Sequence, residues 1–177
     1  AATILSEGFG SGSTQNNIPN WEEEGNDNDS LTVAQNPTAS GEDSASPDGG
    51  RFAKIGWDDG PGNSGKDEWI CRKIDSEGFS NQTLKYYWRG DNDAETNDYG
   101  YIEYRATSNG NTEQTCNSNA ASWTQLTSHV LDDNNDGGEN WSSLQTLNLP
   151  SSLDDDDSWF IRFRTSASSE IEHFRVD

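Results

Sequence analysis

The segment from Asp132 to Gly137 reads Asp-Asp-Asn-Asn-Asp-Gly, with Asp132, Asn134 and Asp136 at alternate positions and a glycine to close the turn. Side-chain oxygens at that spacing are the first half of a loop that wraps a hard cation such as Ca²⁺. The second half is absent: the twelfth position is Ser143 rather than Glu, and no helical pattern flanks the loop. A ligand from elsewhere would be needed, and Glu139 is the nearest candidate. The alternative is an ordinary Asx-rich turn. A second acidic stretch carries Asp91, Asp93, Glu95, Asn97 and Asp98 between two aromatic-rich segments. A short connection cannot spread these oxygens far apart, so either water or a cation must gather them. The run at 154–157 reads as a solvated turn.

Catalytic groups are sparse. The two histidines, His129 and His173, lie inside strand-like stretches, and no G-x-S-x-G elbow, H-E-x-x-H helix or Cys–His pairing is present. Residues 60–67 approach a phosphate-binding loop, but Asp67 stands where a Ser or Thr should hold Mg²⁺, and strand rather than helix follows. We therefore expect a binding or assembling protein, not an enzyme.

Charge narrows the partners. Against 11 Lys and Arg stand 32 Asp and Glu, a formal net charge of −21. Such a balance disfavours nucleic acid and membrane insertion, and it opposes compactness unless counter-ions neutralise it. Cys71 and Cys116, 45 residues apart, fit neither a redox nor a zinc spacing and are expected to form a disulfide. A disulfide implies an extracellular or cell-surface setting. The opening Ala1-Ala2 fits cleavage of a leader beside small residues.

The elements that must position these groups are strands. Hydrophobic residues make up only 29% of the 177, yet seven Trp, five Tyr and six Phe are present, enough for a thin aromatic core. No window repeats apolar residues at helical spacing for more than two turns. Alternating stretches fall at 3–9, 30–34, 51–57, 68–74, 83–89, 99–105, 123–131, 143–149, 159–164 and 171–176. About ten short strands with no helix between them predict a single antiparallel β-sandwich, a jelly roll, over residues 1–177. The acidic segments 22–29, 91–98, 132–140 and 154–157 fall between strands.

The order of these strands resembles a family. Glu7-Gly8-Phe9 with Pro19-Asn20-Trp21, Ser46 to Ile55, Tyr99 to Tyr104 with Ser122-Trp123, and Phe160 to Arg164 with Phe174 to Asp177 are similar to the strands of MAM-like and carbohydrate-binding jelly rolls of secreted and surface proteins. The resemblance implies a structural Ca²⁺ where the first and last strands meet, held by Glu7, Asp48 and Asp177 with carbonyls near Gly49. The closing strand stops short at Asp177, which implies a sheet edge open to strand addition. Two functions follow as expectations. One is a Ca²⁺-stiffened module for adhesion or self-assembly at the cell surface, partnering itself or other surface proteins and capable of building a filament or tubule. The other is a glycan-binding module using Trp21, Trp57 and Trp141 as stacking rings, the alternative for each being a ring packed in the aromatic core.

Overall fold

The computed structural model describes residues 9, 20–23, 31–33, 47, 52–56, 68–90, 94–106, 116, 123–132, 140–168 and 172–177. Within them lie eleven strands and a single 3₁₀ turn, Ser151–Leu153. The strands are β1 (Glu22–Glu23), β2 (Leu31–Val33), β3 (Phe52–Ile55), β4 (Trp69–Ile74), β5 (Thr83–Tyr86), β6 (Trp88–Arg89), β7 (Tyr99–Ala106), β8 (Thr124–Val130), β9 (Gln145–Asn148), β10 (Trp159–Ser166) and β11 (Phe174–Val176). They form a five-stranded sheet in the order β1-β4-β10-β7-β8, a four-stranded sheet β2-β3-β11-β6, and a β5-β9 ribbon. Every pairing is antiparallel, as the alternating pattern predicts.

The two main sheets face each other across one core. Ile70, Ile74, Ile102, Trp159, Ile161 and Phe163 meet Ala53, Ile55, Trp88, Phe174 and Val176. Alternation along β10 decides the other face: Phe160, Arg162 and Arg164 must point away from that core. A smaller cluster of Trp69, Cys71, Cys116 and Phe160 occupies the outer side, with Trp123 packed against it. Gly100 is required because the Phe174 ring lies where any β-carbon would stand.

Three expectations change. The stretch 83–89 is two strands: Tyr87 leaves the β5–β9 ribbon and exchanges both backbone hydrogen bonds with Asp177 (2.7 and 3.0 Å), so β6 joins a different sheet. The segment 91–98 therefore links β6 of one sheet to β7 of the other. Glu22–Glu23, read as loop, pairs with β4 at the sheet edge. The run at 154–157 is more than a solvated turn: Asp154 and Asp155 accept the backbone N–H groups of Asn81 (3.0 Å) and Gly78 (2.7 Å). A bulge interrupts β7 and β8, where Ile102 faces Thr127 but Glu103 faces Gln125, leaving Leu126 as the extra residue.

Candidate functional site

Of the expected cation ligands, Asp98, Asp132 and Asp177 are described; Glu7, Asp48, Asp91, Asp93, Asn134, Asp136 and Glu139 lie outside the described residues. Asp98 and Asp132 are buried. The segments they belong to leave the sandwich side by side, because the Leu131 N–H donates to the Asp98 carbonyl (2.9 Å) and a β-carbon on Gly90 would strike the Leu131 backbone. The segment after Asp132 returns beside β6, where the Ser142 N–H donates to Trp88 O (2.9 Å). Asp98 and Asp132 thus lie at the same end of the fold. Asp177 lies elsewhere, half-buried at the end of β11 opposite Tyr87; β11 pairs with β3 on one side and β6 on the other, so the open edge expected at the closing strand is not there.

Asp98 gathers a local acidic group. Its carboxylate accepts N–H bonds from Glu95 (2.6 Å) and Ser168 (2.7 Å), and the Ser168 hydroxyl donates to Glu95 (2.5 Å). Buried Glu172 completes a set of three carboxylates whose nearest oxygens lie within 4.8 Å of one another. Hard oxygens at that separation suit Ca²⁺ in kind, and three side chains supply half or fewer of the ligands it takes. Glu172 escaped the sequence reading because 74 positions separate it from Asp98 (172 minus 98) and no local spacing announces it.

Of the three rings named for sugar stacking, Trp21 and Trp141 are described. Trp21 is only 8% exposed and packs between Phe9 (6.0 Å) and Phe163 (5.6 Å), so its faces are spent on the core. Trp141 is half-buried, edge-on to Phe52 at 5.1 Å. Trp57 lies outside the described residues.

A different aromatic surface covers the outer face of the five-stranded sheet. The register sets Phe160 opposite Arg105, Arg162 opposite Glu103 and Arg164 opposite Tyr101, with Gln125 and Ser128 of β8 completing the rows. Glu103 ties the centre together, accepting from Arg162 Nε (2.7 Å) and from Arg164 Nε (3.2 Å) and Nη2 (3.3 Å). The Arg105 guanidinium lies 5.1 Å from the Trp123 centroid and 4.8 Å from that of Phe160, while Arg162 is 4.2 Å from Trp123. Burial beneath these rings lowers the Arg105 pKa, and Glu22 opposes that shift. Trp123 rests on two guanidinium groups, half-buried. Tyr101 stacks against Arg164 at 4.3 Å, and Tyr99 adjoins it at 5.7 Å. Cys71 and Cys116 are bridged beside this face, as their count predicts, and the Cys116 N–H donates to Glu22 (3.1 Å).

The inner side of β8 carries His129. Its ring stacks on Trp88 at 4.3 Å and shares a 2.8 Å hydrogen bond with the Tyr86 hydroxyl. Burial lowers the imidazole pKa to about 4 and raises the phenol above its usual range. The pair is neutral at neutral pH and packs as part of the core.

No family model and no curated protein matches this sequence. Solved structures do resemble it. The K1 cleaved adhesin domain of Lys-gingipain from Porphyromonas gingivalis W83 aligns with TM-score 0.54 at 15% identity, over 94% of this chain and 95% of that one. A cyclase from Fischerella sp. TAU aligns with TM-score 0.53 at 11% identity, over 90% and 82% of the two chains. A structure described for carbohydrate-binding modules of the β-sandwich superfamily aligns at TM-score 0.48 and 12% identity, over 93% of this chain and 53% of that chain. An adhesin domain and a cyclase at such low identity share a fold with this chain and nothing narrower.

Proposed function

We propose that this chain is an extracellular recognition module that binds glycan on the outer face of its five-stranded sheet. The observation that carries the reading is the Arg–aromatic layer: Trp123 on Arg105 and Arg162, and Tyr101 on Arg164. A sugar offers C–H faces that match aromatic rings and hydroxyls that match a guanidinium fork. Both complements stand in adjacent rows of one rigid sheet, which lowers the ordering cost of binding. The disulfide supports an oxidising, extracellular setting. Ca²⁺ at the paired acidic segments belongs to the same reading, as a clamp that relieves carboxylate repulsion beside Asp98 and Asp132. No catalytic step is part of it. Retardation in gels cast with soluble polysaccharides tests the proposal: we expect a shift for the native protein and its loss in Tyr101→Ala. A full panel with no shift would sink it.

Self-assembly is supported by a separate observation. Among the described residues β8 is paired on one side only, and its sequence Thr-Gln-Leu-Thr-Ser-His-Val has none of the lysines or prolines that guard edges. Sedimentation at rising concentration, with and without Ca²⁺, checks it; a monomer under all conditions rules it out.

A further inference from the structure

Within that glycan-binding reading, the geometry points to an acidic polysaccharide, one carrying carboxylate or sulfate groups, as the ligand of the Arg–aromatic face. Cations are unevenly placed in this chain. Of its 11 Lys and Arg, four (Lys73, Arg105, Arg162 and Arg164) sit on the outer side of the five-stranded sheet by strand alternation. The described carboxylates that interact with these arginines are Glu103 and Glu22, and exposed Asp75 stands two residues beyond Lys73, three among the 32 acidic residues. A face with more cations than described acids, on a chain of net charge −21, is a local inversion of sign. At physiological salt the screening length is about 8 Å, so a bound group senses this face far more than acidic segments beyond it.

The layout suits a polymer of charged rings. Tyr99, Tyr101, Glu103 and Arg105 occupy alternate positions of β7, so the row runs about 20 Å at ~3.3 Å per residue. Arg162 and Arg164 stand two residues apart along β10, both oriented by Glu103, and keep 15% and 20% of their side-chain surface exposed. Glu103 already takes the Nε and Nη2 donors of both, so the exposed guanidinium surface offers positive charge, held in a fixed orientation, to a carboxylate or sulfate. The rings at either end of the row distinguish a saccharide from an acidic peptide, which would supply the charge without ring faces to stack on Tyr101 or Trp123.

The test compares polygalacturonate with its methyl ester, which keeps the sugar rings and removes the charge, using titration calorimetry on the native protein. Dextran sulfate tells a sulfate preference from a carboxylate one, and poly-glutamate reports an acidic polypeptide. We expect the acid polymer to bind about tenfold or more tightly than the ester, as loss of a charged hydrogen bond implies. Arg164→Gln should erase the difference, and in the wild type the difference should shrink as salt rises, a readout that does not depend on the variant folding. If the ester binds as well as the acid, or the difference is insensitive to salt, the inference fails while glycan binding stands. If no polysaccharide binds, both fail. If poly-glutamate binds as tightly as polygalacturonate, the face is a general anion dock and the saccharide assignment is overturned.

Discussion

Replacing His129 with Gln should flatten the acid limb of the stability curve. In the folded chain the imidazole, stacked on Trp88 and bonded to Tyr86, takes its proton only near pH 4, against 6.5 when unfolded. The folded pKa is depressed, so below pH 6.5 the unfolded state binds more protons and stability falls as pH falls. Between pH 7 and pH 5 the linkage amounts to about 2 kcal/mol, at 1.36 kcal/mol per pH unit over roughly 1.5 units. The carboxylates titrate in both proteins and cancel in the difference. His129→Gln should be less stable than the wild type at pH 7, because the ring stack is lost, yet lose about 2 kcal/mol less on going to pH 5. Urea unfolding followed by tryptophan fluorescence at several pH values measures this directly. Parallel pH dependences for the two proteins would refute the buried, neutral imidazole.

Removing the disulfide as Cys71→Ser/Cys116→Ser should cost on the order of 4 kcal/mol, from the closure entropy of a 45-residue loop, read as a lower urea midpoint. Because Cys71 and Cys116 are 0% and 4% exposed, reductant alone should act slowly on the folded protein. Ca²⁺ at a hundredfold excess over its Kd should raise the melting temperature by the equivalent of about 2.7 kcal/mol, and EDTA should reverse it. Glu95→Gln, at an exposed member of the acidic group, should weaken that response; a melting curve indifferent to both ions and chelator removes the cation from the reading.

Strand alternation made most of the fold legible. Ile161 to Arg164 and Tyr99 to Ile102 alternate in the way a strand with one core face requires, and the antiparallel sandwich follows from such stretches. Glu22–Glu23 hid because two adjacent charged residues carry no apolar alternation for a hydrophobic pattern to reveal. Tyr87 hid because a change of sheet inside an aromatic run alters hydrogen-bond partners without altering composition. The cysteine pair was legible by count. The Arg–aromatic face was missed because net charge is a sum, whereas a binding surface depends on which side of a strand each charge takes. The signal was present: Phe160-Ile-Arg-Phe-Arg164 beside Tyr101-Ile-Glu-Tyr-Arg105 places guanidinium, carboxylate and ring on one face once both are read as paired strands. Trp21 takes the core alternative rather than the stacking one, and the sequence could not decide between them because a tryptophan beside polar loops looks the same whether its ring turns inward or outward.

The bulge at Leu126 makes the outer face a matter of counting. With the extra residue, Gln125 lies opposite Glu103 and Thr124 opposite Tyr104, and Trp123 comes out over Arg105. Delete Leu126 and the ladder merely becomes regular, with Gln125 still opposite Glu103; insert one further residue between Trp123 and Thr127, or remove two, and parity inverts for everything on the amino-terminal side. Thr124 would then turn outward, and the indole would be driven toward the core, leaving Arg105 uncovered. Lineages derived from this chain can lengthen or trim its acidic connections with little consequence for this face. Within β8, by contrast, a length change that the bulge does not absorb remakes the outer surface, even when no side chain of the Arg–aromatic layer is itself substituted.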